Sequence, residues 1–220
     1  MTHPPRKFVD RRDAGRQLAD VLTKYNHSDP LILALPRGGV PVAVEIAKAL
    51  RAPLELLLVR KIGAPRYPEF GIGAVVDGSD PQFVYNEEAM RAVDPPAGYV
   101  EAESQRQLAE IERRREIYRG GRPPTPTEGR TVIVVDDGIA TGGTVKAALK
   151  ALRKTGAGRI ILAVPVAPSG VLKELEAEAD EVICLQIPDP FRAVGLHYID
   201  FDQTSDEEVI RLLGEAEAWI

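Results

Sequence analysis

The sequence predicts an α/β fold, a doubly wound and mostly parallel sheet of about five strands with helices on both faces. Short runs of apolar residues without polar alternation recur along the chain, which is typical of strands covered on both faces. Segments with the helical period of apolar residues lie between these runs. A strand, a helix and a strand in this order specify a parallel βαβ unit.

The predicted elements alternate along most of the chain. An amphipathic helix begins after Asp10 or Asp13, and Ser205 with Glu208 forms a capping box that starts a closing helix. The segment 63–71 has no apolar period and is predicted to be a loop. Strands are predicted at 31–35, 54–59, 72–76, 131–135, 159–164 and 181–185, and further helices at 40–50, 101–118, 144–154 and 171–179.

The length and composition fit one domain. The chain of 220 residues is 44% hydrophobic and 28% charged, which excludes a mainly disordered protein and allows a full core to be buried. We therefore expect a single domain over residues 1–220, with a small hood formed by about 185–202 and the N-terminal segment.

The charge pattern disfavours general nucleic-acid binding. The formal net charge is −5, and an acidic surface repels a phosphate backbone. The arginine run 113–115 is balanced by glutamates at helical spacing, so we interpret it as a solvated helix face.

Cysteine content and the absence of long apolar runs give an expected location. Cys184 is the only cysteine, so the chain can form neither an intramolecular disulfide nor a cysteine pair for zinc, and we interpret Cys184 as a core residue. The N-terminus lacks the pattern of a signal peptide, and no run of about 18 apolar residues occurs. We expect a cytoplasmic protein without a membrane partner.

The stretch 132–144 carries the most chemical information. Four β-branched residues predict a buried strand, whose carboxyl end delivers Asp136 and Asp137. A loop rich in glycine and threonine, 138–144, then leads into a helix, and this is where open α/β sheets bind ligands. Amides at a helix start bind phosphate, while carboxylates accept hydrogen bonds from vicinal hydroxyls. The combination predicts a sugar phosphate site.

Two other phosphate motifs do not fit this loop. A Walker A motif requires a lysine where Thr144 follows Gly143, so an ATPase is disfavoured. A dinucleotide-binding loop requires a different glycine spacing and an acid about 20 residues later. A tight turn without any ligand is the remaining alternative, although two adjacent acids without a partner would cost stability.

The same stretch resembles the substrate-binding motif of the type I phosphoribosyltransferases, which bind 5-phosphoribosyl 1-diphosphate (PRPP). The resemblance implies that Asp136 and Asp137 hold the ribose hydroxyls. It also implies that the following loop holds the 5-phosphate through Ile139, Ala140, Thr141, Gly142, Gly143 and Thr144.

A second resemblance concerns the diphosphate. Pro36-Arg37-Gly38-Gly39, after the first strand, is similar to the diphosphate loop of that family, which often contains a cis non-proline peptide bond, here between Pro36 and Arg37. Lys61 lies where the family has a basic residue beside the diphosphate. The segment 63–71 occupies the place of the flexible loop that closes over the substrate, which implies a lid.

Arg37 and Lys61 would offset the charge of the diphosphate together with Mg²⁺, the cofactor that the resemblance implies. The sequence shows no dedicated metal cage, and its three histidines are far apart. Substrate oxygens and water would therefore hold most of the Mg²⁺ coordination shell.

The acceptor is indicated less directly. The segment 187–191 is similar to a segment of the 6-oxopurine members of the family, which implies that Phe191 stacks on a base in the acceptor pocket. Those members carry a lysine where this chain has Ala167 or Pro168, so purine specificity is not implied. Tyr198 and Asp200 are further candidates for the pocket.

The function that these observations favour is Mg²⁺-dependent transfer of a 5-phosphoribosyl group from PRPP to a nitrogenous base, with release of diphosphate. Asp136, Asp137, Arg37 and Lys61 are the candidate catalytic residues. The alternative is a regulatory protein of the same fold that binds PRPP or a nucleotide without catalysis, and an interaction module without a ligand is a third hypothesis. A small-molecule acceptor is the expected second partner, and a homodimer is compatible with the sequence.

Overall fold

The computed structural model of the protein describes residues 6–78 and 80–218. Strands and helices alternate through these residues. The strands are β1 Leu31–Ala34, β2 Leu54–Leu56, β3 Val59–Ala64, β4 Tyr67–Val76, β5 Gln82–Tyr85, β6 Thr131–Val135, β7 Arg159–Val166 and β8 Glu181–Gln186. The helices are α1 Arg11–Leu22, α2 Gly39–Leu50, α3 Glu87–Val93, α4 Tyr99–Arg119, α5 Gly143–Lys154, α6 Ser169–Leu175 and α7 Asp206–Glu217, with 3₁₀ helices at Thr23–Tyr25 and Val194–His197.

The main sheet has five parallel strands in the order β2-β1-β6-β7-β8. Successive side chains point to opposite faces of a strand, and each face of this sheet is covered. Ile32 and Ala34 pack in one cluster with α1, α2 and α7, whereas Leu31 and Leu33 pack in the other with α5 and α6. The predicted α/β fold with helices on both faces of a mostly parallel sheet is confirmed.

The order of the strands places two loops side by side. The connection from β1 runs through α2 to β2 on one side, and the connection from β6 runs through α5 to β7 on the other. Because β1 and β6 are paired neighbours, with Ala34 opposite Val135, their carboxyl ends meet at one edge of the sheet. In open α/β sheets this point, where the order reverses, is the ligand-binding crevice.

Two additions lie outside the main sheet. Residues 6–10 run beside the segment that follows β8, in the region assigned to the hood. Phe8 forms a parallel bridge with Tyr198, and the Phe8 amide donates a hydrogen bond to His197 O at 2.9 Å. Residues 1–5 of the predicted hood lie outside the described part of the chain.

The second addition is an antiparallel sheet in the order β3-β4-β5. The segment 63–71 is thus a β-hairpin, and its prediction as a loop was wrong. A Cβ on Gly63 would lie 2.5 Å from Pro68 O, so glycine permits the strands to approach, and Arg66 occupies the turn with φ 67°. The polar residues and prolines of this segment show no strand pattern, because the strands of an exposed hairpin need little apolar periodicity.

The predicted strand 54–59 is divided between the two sheets. β2 ends at Leu56 and β3 begins at Val59, and the linking residues Leu57 and Leu58 are buried. An apolar run reports that residues are buried but not which strand they pair with, so the sequence contained no sign of this change of sheet.

Helix α4 is attached to the rest of the fold by a buried ion-pair network. Asp77, with 1% of its side chain exposed, accepts hydrogen bonds from Arg115 and, at 3.0 Å, from Arg119. Arg119 also donates to Leu56 O and lies 3.2 Å from a carboxylate oxygen of Glu55. The prediction of a solvated arginine face was therefore wrong for Arg115, which points inward.

Within the described ranges, no helix is long and apolar enough to cross a membrane.

Asp77→Ala is expected to lower the free energy of unfolding by about 3–5 kcal/mol, because it leaves two buried guanidinium groups without their shared carboxylate. Chemical denaturation monitored by circular dichroism measures this change.

Glu110→Ala is the matched control, since Glu110 also bridges two arginines, Arg113 and Arg114, but on the outer face of α4. Their hydrogen bonds lower the pKa of Glu110 to about 2, so its contribution is present above the ordinary glutamate pKa and is lost as the pH falls toward 2. A cost of about 1 kcal/mol or less is expected at neutral pH. Equal costs for the two variants would contradict the assignment of the Asp77 network as the buried anchor.

Candidate active site

The acid pair lies at the carboxyl end of β6. Asp136 and Asp137 are both half-buried, and the Asp137 amide donates a hydrogen bond to Asp136 Oδ1 at 2.9 Å. This bond holds the Asp136 carboxyl group beside the backbone of its neighbour. Two carboxyl groups are thereby placed together at the edge of the sheet.

The loop after β1 touches this acid pair. A Cβ on Gly38 would lie 2.0 Å from Asp137 Oδ2, so the carboxylate occupies the space that any other side chain would fill. A Cβ on Gly39 would lie 2.6 Å from Val135 O and 3.0 Å from Asp136 Cα. Glycine at both positions permits the close approach, and the structure brings these two predicted site segments together.

Arg37 forms an ion pair with the first residue of α7. Its Nη1 lies 3.5 Å from Asp206 Oδ1, and the Tyr118 hydroxyl of α4 donates to the same oxygen at 2.6 Å. Burial and this hydrogen bond raise the pKa of Tyr118 to about 12, so the hydroxyl keeps its proton. The Pro36–Arg37 peptide bond is cis, as the resemblance implied.

The loop after the acid pair opens onto the start of α5. Ala140, Thr141, Gly143 and Thr144 are exposed, and a Cβ on Gly143 would meet no atom within 4 Å. The first amides of a helix have no partner inside the helix, so this open end offers donors to an anion. Ile139 differs from the rest: its side chain is buried and its amide donates to Val166 O at 2.9 Å.

Sequence analysis missed Arg11, which contacts the acid pair from α1. Its Nε donates to Asp137 Oδ2 at 2.8 Å, and its Nη1 donates to Asp202 O at 2.6 Å. The guanidinium carbon also lies 3.9 Å from the centre of the Phe201 ring. Arg11 and Asp137 are 126 positions apart, and no local pattern in the sequence links them.

Tyr198 lies on the same side and was predicted only as a pocket candidate. Its side chain is buried, and its hydroxyl donates to Asp137 O at 2.6 Å. Its ring stacks on Phe201 and contacts Phe8. Tyr198 thus attaches the N-terminal segment and the chain after β8 to the acid pair.

The electrostatics of the site follow from this arrangement. Burial and the neighbouring charge of Asp137 raise the pKa of Asp136 well above its ordinary value. Burial also raises the pKa of Asp137, and the hydrogen bond from Arg11 opposes that rise. Two crowded acids with one arginine favour a ligand that donates hydrogen bonds or brings a cation.

The comparisons with known proteins show which family the chain belongs to. The family model described as the phosphoribosyl transferase domain matches residues 11–200. The chain belongs to this phosphoribosyl transferase family. A protein of Mycobacterium tuberculosis H37Rv, named provisionally as a phosphoribosyl transferase, is 47% identical over 209 residues, which are 95% of this chain and 47% of that protein.

Two further comparisons place this phosphoribosyl transferase domain among relatives. The crystal structure of TT1426 from Thermus thermophilus has 44% identity and a TM-score of 0.83, covering 95% of this chain and 98% of that one. The bifunctional protein PyrR of Brevibacillus brevis is 40% identical over 81 residues, or 32% of this chain and 45% of PyrR. This chain spans about half the length of the curated relatives it matches.

Lys61 of this phosphoribosyl transferase domain lies on the second sheet. It is exposed on β3, opposite Ala74 of β4, and its aliphatic carbons lie 3.1 Å from the position of a Cβ on Gly71. Its neighbour Arg60 donates to Gln107 of α4 at 3.0 Å. The structure thus places Lys61 at the base of the hairpin that ends in the turn at 65–66, whereas Arg37 belongs to the loop after β1, whose Gly38 meets the acid pair.

Phe191 lies in the segment after β8, where it stacks on His197 with ring centres 5.9 Å apart and planes inclined by 11°. Burial and the charge of Lys7 lower the pKa of His197, which favours a neutral imidazole in this stack. Ala167 is buried at the end of β7, so the main sheet presents an apolar side chain there. Asp200 is exposed.

Proposed function

We propose that this domain transfers the 5-phosphoribosyl group of PRPP to a ring nitrogen of a base, with Mg²⁺, and releases diphosphate. The observation that carries the proposal is the contact between the glycine loop after β1 and the acid pair after β6, where Gly38 leaves room only for the Asp137 carboxylate. The loop after β1, the acid pair and the open start of α5 thereby share one edge of the sheet.

The two ends of a ribose 5-phosphate match this edge. Asp136 and Asp137 would accept hydrogen bonds from the ribose hydroxyls, and the amides at the start of α5 would bind the 5-phosphate. Both groups are attached to β6 and the helix that follows it, so the sugar would be oriented by one rigid turn. Orientation of this kind contributes much of the rate enhancement in group transfer.

The leaving diphosphate would be stabilised from the loop after β1. Arg37 and the Gly38 amide belong to the loop that contacts the acid pair and would donate to the diphosphate, and Lys61 would join them if the hairpin closes over the ligand. The Gly39 amide already donates to Leu35 O at 3.0 Å. Positive charge at the oxygen atoms that gain negative charge is the strongest catalytic effect available to such a site. Cleavage at C1 would leave oxocarbenium character on the ribose, and no side-chain nucleophile is required.

The residues present suit Mg²⁺ with few protein ligands. Asp136 and Asp137 would supply carboxylate oxygens, directly or through water, and substrate oxygens would complete the coordination. The described ranges contain no group of three or more histidine, cysteine, aspartate or glutamate side chains that would form a closed cage. When bound, the ion would neutralise charge on the diphosphate.

One observation favours a non-catalytic regulator as the second candidate. The loop 138–144 contains no side chain that titrates near neutral pH, so nothing in it moves a proton from the acceptor. A protein of this kind would bind PRPP or a nucleotide at the same edge and transmit that binding elsewhere.

A single assay separates these functions. The protein is incubated with PRPP, Mg²⁺ and pools of nucleobases, and diphosphate release and melting temperature are measured in parallel. Base-dependent diphosphate release supports the transferase. A rise in melting temperature with PRPP but no release supports the regulator, and the absence of both contradicts a PRPP site. Within a productive pool, individual bases then identify the acceptor.

A further inference from the structure

Arg11 lies in the first turn of α1, and its guanidinium contacts three other residues. Only 12% of its side chain is exposed. It donates to Asp137 Oδ2 and to Asp202 O, and it covers the face of the Phe201 ring. The guanidinium therefore joins three parts of the fold, the acid pair, the chain after β8 and α1.

The next residue of α1 is also an arginine, and its partners and exposure can be compared with those of Arg11. Arg12 pairs with Glu45 of α2 and Glu215 of α7, and 35% of its side chain is exposed. Those partners lie on neighbouring helices and away from the acid pair. Two consecutive arginines on one helix thus have different surroundings, and of the two it is Arg11 that reaches the candidate active site.

A stabilising role alone does not explain the Arg11 contact. A buried ion pair contributes little net stability compared with an apolar pair of similar volume, because both charges lose their hydration. The pair here lies beside a second acid, Asp136, whose charge it also faces. Such an arrangement is expected where the orientation and charge of a carboxylate serve a ligand.

The contact constrains Asp137 from two directions. Gly38 leaves space for the carboxylate on one side, and Arg11 binds Oδ2 on the other. The hydroxyl of Tyr198 holds the backbone oxygen of the same residue. The side chain is therefore fixed before a ligand arrives, which lowers the entropic cost of binding.

We propose that Arg11 is a positioning residue of the ribose subsite, holding Asp137 as an oriented carboxylate that accepts the ribose hydroxyls of PRPP. This inference rests on the proposed function. Arg11 acts through Asp137 and does not contact the reacting atoms. The interaction with Phe201 and Asp202 further links the orientation of Asp137 to the chain after β8.

The test compares Arg11→Met, Arg11→Lys and the control Arg12→Met. The dissociation constant for PRPP is measured by calorimetry at pH 8, with melting temperatures for each variant. We expect Arg11→Met to weaken PRPP binding by about 10–100-fold, because the Asp137 carboxylate loses the hydrogen bond that holds its Oδ2. Arg11→Lys should restore part of the loss, and Arg12→Met should bind as the wild type does even if it melts earlier.

Three results would overturn the inference. Wild-type affinity in Arg11→Met would make the contact purely structural. Tighter binding would mean that Arg11 competes with the ligand for Asp137, and an equal loss in Arg12→Met would make the effect one of general stability. Failure of the wild-type protein to bind PRPP removes the proposed function itself. A crystal structure of ligand-free Arg11→Met then shows whether Arg11 still sets the orientation of the Asp137 carboxylate.

Discussion

Asp136→Asn is expected to raise the melting temperature at pH 8 while lowering phosphoribosyl transfer by about 10²–10³-fold. The stability gain follows from the raised pKa of Asp136, whose ionised form is disfavoured by burial and by the charge of Asp137. Asparagine keeps the side-chain oxygen that accepts the Asp137 amide, and it removes the charge.

The stability gain of Asp136→Asn should increase with pH. Between the ordinary carboxyl pKa and the raised one, the folded state binds more protons than the unfolded state, so this group's stabilising contribution falls as the pH rises. The difference in melting temperature between Asp136→Asn and the wild type should therefore be small near pH 4 and should grow toward pH 8. Calorimetric melting over this range measures it.

The loss of activity has a separate cause. A neutral amide accepts a weaker hydrogen bond from a ribose hydroxyl than a carboxylate does, and its amide group presents donors where the ligand also donates. The expected result is a variant that folds better and binds PRPP worse. Residues that serve a ligand at the expense of stability commonly show this behaviour.

Asp180→Asn is the matched control at the opposite end of the sheet. Asp180 accepts from the Ile160 amide at 2.7 Å and from Arg153 at 3.0 Å, and these bonds lower its pKa. This variant should lose stability at neutral pH and keep its activity. An Asp136→Asn variant that melts earlier than the wild type at pH 8 would instead show that the Asp136 carboxylate holds the fold together.

Gly38→Ala is expected to reduce PRPP affinity and phosphoribosyl transfer by about 10²-fold, the effect of a misplacement of about 1 Å in a preorganised site. The new Cβ would lie 2.0 Å from Asp137 Oδ2 and 2.6 Å from Asp137 Cγ. The carboxylate must then move, and its hydrogen bond with Arg11 is lost. Steady-state kinetics and PRPP titration measure the result.

The backbone at Gly38 isolates this steric effect. Its φ of −62° and ψ of −32° suit any residue, so alanine adds no conformational strain. The cost of the clash in stability is expected at about 1–3 kcal/mol. A crystal structure of the variant should show Asp137 in a different rotamer.

Gly214→Ala provides the control for glycine replacement itself. Gly214 lies in α7, and a Cβ there would meet no atom within 4 Å. The variant should gain about 0.5–1 kcal/mol, because alanine favours a helix over the unfolded chain, and it should keep full activity. If Gly38→Ala binds PRPP as tightly as Gly214→Ala, the contact between the two loops is not required for the ligand.

The parallel core could be predicted because its signals are local. Strands covered on both faces are continuous apolar runs, and the prediction over 131–135 matches β6 residue for residue. The same holds for the start of α7, where the Ser205 hydroxyl accepts the Glu208 amide at 3.2 Å. The acid pair and the loop 138–144 were also predictable in place, since a strand, a turn and a helix that follow one another position them.

The second sheet and the charged contacts depended on the tertiary structure. Leu57 and Leu58 are buried whichever strand they continue, so their sequence cannot show that the chain changes sheets between them. Arg115 is the third of three consecutive arginines, and its position in that run does not show that it pairs with the buried Asp77 while Arg113 and Arg114 pair with Glu110.

Arg11 shows the same limit at the candidate active site. Its helix could be predicted, because apolar periodicity and a capping aspartate are properties of neighbouring residues. Its contact with Asp137 could not, because a long charged side chain takes whichever partner the packed fold brings near it. Burial is encoded residue by residue along the chain, whereas the pairing of charges across 126 positions is decided only when α1, β6 and the chain after β8 pack together.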